Sequence, residues 1–124
     1  MAWEERYGIV LRKVLILRRY QKNSRVIGMV IEQLLKEKRE EILQIAHRHG
    51  AKNIRLFGSV ARGEANESSD IDMLVEVGEN TSPWFPGGLI ADLEELLGRR
   101  VHVVTVGALH SYIRDRVLQE AVPL

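Results

Sequence analysis

Two runs decide how this chain folds: Leu56-Phe57-Gly58-Ser59-Val60-Ala61-Arg62-Gly63 and Ser68-Ser69-Asp70-Ile71-Asp72-Met73-Leu74-Val75. In the first, Asn53-Ile54-Arg55-Leu56-Phe57 is short and apolar enough for a strand that ends at Gly58. Ser59 to Glu64 then reads as a tight turn into a short helix. Asn66 to Ser69 is turn chemistry, and Ile71 to Val77 is a strong strand.

Working outward, residues 30–49 predict a helix with Ile31, Leu34, Leu35, Ile42, Ile45 and Ala46 on one side. Glu32, Lys36, Glu37 and Glu41 fall on its outer side, and Gly50 stops it. Residues 79–88 hold two prolines and two glycines and predict a loop. Residues 89–97 predict a helix with Leu89, Leu93, Leu96 and Leu97 inward, ended by Gly98. Arg100 to Thr105 predicts a third strand. Ala108 to Val122 predicts a last helix with Leu109, Ile113, Val117 and Ala121 on one face. The order β-α-β-α-β-α after the first helix indicates an α/β fold, a three-stranded sheet with helices packed against it.

The chain has 124 residues, enough for one domain with a real core. It has no cysteine, which excludes a disulfide scaffold, a thiolate metal site and cysteine catalysis, and suits a reducing, cytoplasmic setting. The formal net charge of +1 hides a division. Residues 1–28 carry Arg6, Arg12, Lys13, Arg18, Arg19, Lys22 and Arg25 against Glu4 and Glu5, a net of +5; residues 29–124 therefore carry −4. An acidic main body is not expected to coat nucleic acid. The apolar stretch of the basic segment, broken by Arg12-Lys13, is too short to span a bilayer. Residues 1–28 are expected to be a basic extension outside the fold, with 29–124 as the functional domain; a basic amphipathic helix on a membrane or partner is the other reading of that segment. A homodimer stays open.

Asp70 and Asp72 are i and i+2 on a strand, so they point to the same face, roughly 7 Å apart along the backbone. Two like charges side by side require something positive between them. Oxygen ligands of this kind select Mg²⁺ or Mn²⁺, and such a pair can hold two ions about 4 Å apart for phosphoryl or nucleotidyl transfer. Taken alone, Asp70 also reads as a turn or cap residue after Ser68-Ser69. Gly58-Ser59 aims backbone N–H groups outward from a strand end, an arrangement suited to phosphate. Ser59 adds a hydroxyl, and Arg62 one turn on can reach the same anion. The plainer reading is a strand–helix turn with Ser59 as N-cap.

These residues resemble the minimal nucleotidyltransferases of the DNA polymerase beta superfamily: Gly58-Ser59, a ten-residue spacer, then Asp70-Ile71-Asp72. The similarity runs from about Met29 to Leu124 and takes in Leu93-Glu94-Glu95-Leu96-Leu97-Gly98 and Glu120-Ala121-Val122-Pro123-Leu124. A chain this short is most similar to the antitoxin subgroup, paired with a HEPN-domain ribonuclease toxin. The resemblance implies a mixed sheet, a nucleoside triphosphate on Gly58, Ser59 and Arg62, and Mg²⁺, two ions, on Asp70 and Asp72. It further implies transfer of AMP from ATP to a tyrosine hydroxyl of the toxin, which silences it.

The superfamily has a third carboxylate on the following strand, and here that position is His102. Imidazole brings no negative charge to Mg²⁺, but it can accept a proton. Two readings follow: an active protein adenylyltransferase with Asp70, Asp72 and His102 as catalytic residues, or a catalytically weakened antitoxin that neutralises its toxin by binding alone. Transfer to a small molecule such as an aminoglycoside ranks third, for want of an acceptor domain. Glu76 has the right strand parity but lies too far along. His47 and His49 sit where they favour a helix C-terminus, and His110 falls in the first turn of the last helix. Trp84 and Phe85 either stack on a base or dock a partner, or anchor their loop on the core.

Overall fold

The computed structural model describes residues 24–124. Helices α1 (Ser24–Glu37) and α2 (Arg39–Arg48) lead into strand β1 (Ala51–Phe57) and the single-turn helix α3 (Gly58–Arg62). Strand β2 (Ile71–Val77), helix α4 (Gly87–Leu97), strand β3 (Val101–Thr105), a 3₁₀ turn (Val106–Ala108), helix α5 (Ser111–Glu120) and strand β4 (Val122–Pro123) follow.

The sheet is mixed, in the order β3-β2-β1-β4. β1 runs antiparallel to β2 and β4, and β2 runs parallel to β3. It has four strands rather than the expected three. The fourth arises because the last helix stops at Glu120 instead of running to Val122. Pro123 cannot continue a helix and drives the preceding residue extended. Val122 and Pro123 then pair with Leu56 and Arg55. The start of that helix also shifts, because residues 106–108 form a 3₁₀ turn and the α-helix proper begins at Ser111.

The helix expected over 30–49 is two helices joined at Lys38, and the first starts at Ser24. Ile27, Ile31 and Leu35 follow at fourfold spacing on its buried face. The division at residue 28 therefore falls inside a helix whose Ile27 is 1% exposed. Residues 1–23, the greater part of the basic extension, lie outside the described residues. β1 starts two residues earlier than expected, and an irregularity between Lys52 and Arg55, with Asn53 at φ 51°, shifts its register.

β2 is covered on both faces, which is why it reads as a near-continuous apolar run. Ile71, Met73 and Val75 face the main core with Ile27, Ile31, Ile42, Leu89 and Leu93. Leu74 faces the opposite side, with Leu109 and Val117 from the 3₁₀–α5 segment. Strand alternation puts Asp70 and Asp72 on Leu74's side. The carboxylates thus share a face with α5. No helix among the described residues is long and apolar enough to cross a membrane.

Candidate active site

The backbone brings the two sequence runs together. Phe57, the last residue of β1, is registered opposite Asp72, and Asp72 lies beside His102 of β3. Gly58 adopts φ +73°, and a Cβ built there would stand 2.2 Å from Asp72 Oδ2. Glycine is demanded twice at this position, by the left-handed conformation and by the carboxylate that occupies the side-chain space. The strand–helix turn and Asp72 therefore meet directly. Gly63, with φ 72° and no neighbour within reach of an added Cβ, ends α3 and sends the chain back toward β2.

Two arginines shape the approach to Asp70. Arg99 Nη2 donates to the carbonyls of Asn66, Glu67 and Ser69, each at 3.2 Å, and so clamps the turn before Asp70. Asn66 Oδ1 tightens the same turn from within by accepting from Ser68 N–H and Oγ. Arg100 Nε comes within 3.1 Å of Asp70 Oδ1. The contact is not aligned as a hydrogen bond, and Asp70 Oδ1, shielded from solvent, has no hydrogen-bond partner.

Asp72 is partly buried, and this burial pushes its carboxyl pKa above the ordinary aspartate value. Asp70 pushes it the same way, against the lowering effects of His102 and Arg62. His102 Nδ1 sits 3.4 Å from Asp72 Oδ1, and the ring is exposed. The projection of His102 toward the site edge, expected from strand alternation, is what the register shows.

The carboxylate pair fits a divalent cation. Asp70 Oδ1 is sheltered and makes no hydrogen bond, only the ion-pair contact with Arg100, and the charge of Asp70 helps to raise the Asp72 pKa. No group of three or more metal-ligating side chains gathers among the described residues. Mg²⁺ suits such a pair, since it is commonly held by one or two carboxylates with water and substrate phosphates completing its shell.

Arg62 is differently engaged from what its spacing suggests. Its Nε donates to Glu64 Oε2 at 3.0 Å, and its Nη1 donates to Glu120 Oε1. These two hydrogen bonds raise its pKa. Glu120 Oε2 accepts the Gly58 backbone N–H at 3.1 Å. The sequence places Glu120 in the resembling tail but gives it no role at this turn. Ser59 is half-buried on the turn and is not its N-cap; that position is Phe57, with no capping side chain.

The remaining candidates lie apart from this cluster. His49 is the C-cap of α2, but its ring joins Ser82 Oγ at 2.6 Å and Asp92 Oδ2 at 2.7 Å, so it fastens the 79–88 segment rather than serving only the helix end. Phe85 packs against the core, whereas Trp84 is 91% exposed. Glu76 accepts from Asn53 Nδ2.

A family model described as "Nucleotidyltransferase domain" matches residues 30–124. "Putative protein adenylyltransferase MJ0435" of Methanocaldococcus jannaschii is 44% identical over 88 residues, covering 71% of this chain and 95% of that protein. "Protein adenylyltransferase MntA" of Thermococcus cleftensis is 41% identical over 92 residues, covering 74% of this chain and 90% of that protein. A solved structure described as a "putative minimal nucleotidyltransferase" superposes with a TM-score of 0.67 at 46% identity, over 76% of this chain and 95% of its own. A toxin–antitoxin crystal structure with AMP-PNP shares the fold at 21% identity and a TM-score of 0.58, over 68% of this chain and 69% of its own.

Proposed function

The chain belongs to the nucleotidyltransferase domain family, and from that footing we propose that it moves AMP from ATP to a hydroxyl of a partner toxin, a tyrosine of a HEPN ribonuclease, as the antitoxin of the pair. The observation that carries this reading is the meeting of Gly58 and Asp72, which joins an anion-binding turn to a carboxylate pair. The names of the protein adenylyltransferase relatives support the choice of AMP and of a protein acceptor. The transferase unit is residues 29–124, with α1 reaching back to Ser24. A chain without cysteine that works on ATP suits the cytoplasm.

In this reading the free N–H groups and hydroxyl of Ser59 and the guanidinium of Arg62 hold the triphosphate. Asp70 and Asp72 would hold Mg²⁺, two ions, which would supply charge neutralisation to the phosphates in an in-line displacement. The acceptor oxygen forms a bond to the α-phosphorus, the bond from that phosphorus to the α,β-bridging oxygen breaks, and pyrophosphate leaves. The hydroxyl proton goes to the His102 nitrogen that does not face Asp72, or to water.

A second reading has its own support. His102 stands directly beside Asp72, where the superfamily has a third carboxylate. The chain would then neutralise its toxin by contact alone. Incubation of the purified chain with ATP, Mg²⁺ and the product of the neighbouring gene, followed by intact mass, separates the two. An AMP-sized addition supports transfer. An unmodified but stably bound partner, beside a family member that works in the same assay, overturns it.

A further inference from the structure

Glu120 is the last residue of α5, and both of its carboxylate oxygens are engaged on the turn at Gly58. One accepts the Gly58 N–H at 3.1 Å, and the other accepts Arg62 Nη1. Helix α3 has no side-chain cap of its own, since Phe57 stands at its N-cap. Glu120 supplies that cap from 62 residues away, leaving the N–H groups further along the turn unused by it. It also fixes the guanidinium. With Nε on Glu64 and Nη1 on Glu120, two of the three nitrogens of Arg62 are held, and the third has no partner among the described residues. The side chain of Glu120 is only 18% exposed and its contact with Gly58 is part-buried, whereas the Arg62 side chain, 40% exposed, meets it at the surface.

We propose that Glu120 is a positioning residue for the nucleotide: by holding the Gly58 N–H and Arg62 Nη1, it fixes the remaining N–H groups of the turn and the Arg62 guanidinium in the orientation that the triphosphate meets. The proposal rests on the nucleotidyl-transfer reading above. A pre-set turn spares the ligand the cost of ordering these groups, so Glu120 acts on nucleotide affinity. Arg62 and Arg116 both stand against the negative charge of Glu120.

The test is a fluorescence titration of the full chain with N-methylanthraniloyl-ATP and Mg²⁺, which needs no acceptor protein. Glu120→Ala weakens binding about tenfold, the loss of a hydrogen-bonded charge pair. Glu120→Gln falls between it and the wild type, since the amide oxygen still accepts from Gly58 but carries no charge to Arg62. Arg62→Ala combined with Glu120→Ala weakens binding less than the product of the two single effects, as expected for coupled groups. Circular dichroism and melting of every variant follow the fold, and the near-isosteric Glu120→Gln carries the test if Glu120→Ala does not fold. A lowered Tm with unchanged nucleotide affinity in Glu120→Gln makes Glu120 a clamp for α5 only and overturns the proposal. Tighter binding overturns it too, since the carboxylate would then be a competitor of the phosphate. Absence of binding by the wild-type chain overturns the transfer reading and this proposal together, whereas wild-type binding with unaltered variants overturns this proposal alone.

Discussion

Gly58 lacks a side chain exactly where Asp72 stands, with 2.2 Å between the position of a Cβ at residue 58 and Asp72 Oδ2. Gly58→Ala must therefore displace the carboxylate and also hold an alanine at φ +73°. The backbone cost is about 1–2 kcal/mol, and Asp72 can swing aside, so the chain stays folded. Nucleotidyl transfer falls by about 100-fold or more, because a carboxylate misplaced by an ångström is a severe loss. Parallel Tm and transfer-rate measurements check the split between a small loss of stability and a large loss of activity.

Asp72→Asn runs in the opposite direction for stability. Burial raises the Asp72 pKa, so in the absence of metal the folded state disfavours the charged form. The destabilisation from Asp72 is absent below the ordinary aspartate range and grows as pH rises through the raised folded value. At neutral pH the asparagine variant melts no lower than the wild type, and transfer is abolished. A fall in Tm comparable to a core truncation would contradict this account of the site.

The Glu120 contacts set a different pH dependence. Burial acts to raise the Glu120 pKa, but the hydrogen bonds from Arg62 and Gly58 and the charges of Arg62 and Arg116 outweigh it and hold it below the ordinary value. A depressed folded pKa gives stability that is present above the unfolded value and disappears as pH falls through the folded one. The Tm difference between wild type and Glu120→Gln is therefore full at about pH 6 and closes below about pH 4, near and under the ordinary carboxylate range. Melting curves across that interval decide it.

His49→Ala releases the loop over residues 79–88 from the body of the domain. It removes the contacts to Ser82 and Asp92, at a cost of about 1–3 kcal/mol for two partly buried side-chain hydrogen bonds. Chemical denaturation measures the loss, and faster amide exchange confined to that loop locates it. Transfer should persist, since none of the three residues belongs to the Gly58–Asp72 cluster.

How much of this was legible from sequence follows the range of the signals. Gly58, Ser59, Asp70 and Asp72 are local statements: a strand end, a turn and a strand start, each with its own chemistry. Their meeting needed only the register of β1 on β2, which two adjacent strands joined by a short helix make natural. The contacts of Glu120 with the turn were invisible for the opposite reason. Its partners lie about half the chain away, and an acid at a helix end carries no mark of what it will face. The Arg99 clamp on the turn before Asp70 is hidden in the same way. β4 is two residues long, below any periodicity, although Pro123 itself signals that the helix must stop before it. The early start of α1 is masked by charge: Arg25 belongs by composition to the basic segment, while Ile27 keeps step with Ile31 and Leu35.

His102 offers a direct gauge of how complete the site is. His102→Asp adds a carboxylate beside Asp72 and extends the oxygen-ligand set for Mg²⁺. If the histidine limits the wild-type enzyme, the aspartate variant transfers AMP about tenfold faster or more. If His102 is the working base, the variant gains nothing and shifts its rate–pH profile to lower pH, measured by initial rates at saturating ATP.

The central claim is transfer of AMP by the Asp70–Asp72 pair. It is tested most directly by co-expressing the neighbouring gene's product with the wild-type chain or with Asp70→Asn plus Asp72→Asn, then weighing that product intact. The account predicts an AMP-sized increment on a hydroxyl-bearing residue with the wild type, and the unmodified mass with the double variant. An unmodified product in both cultures, with growth rescued equally by both chains, would contradict it.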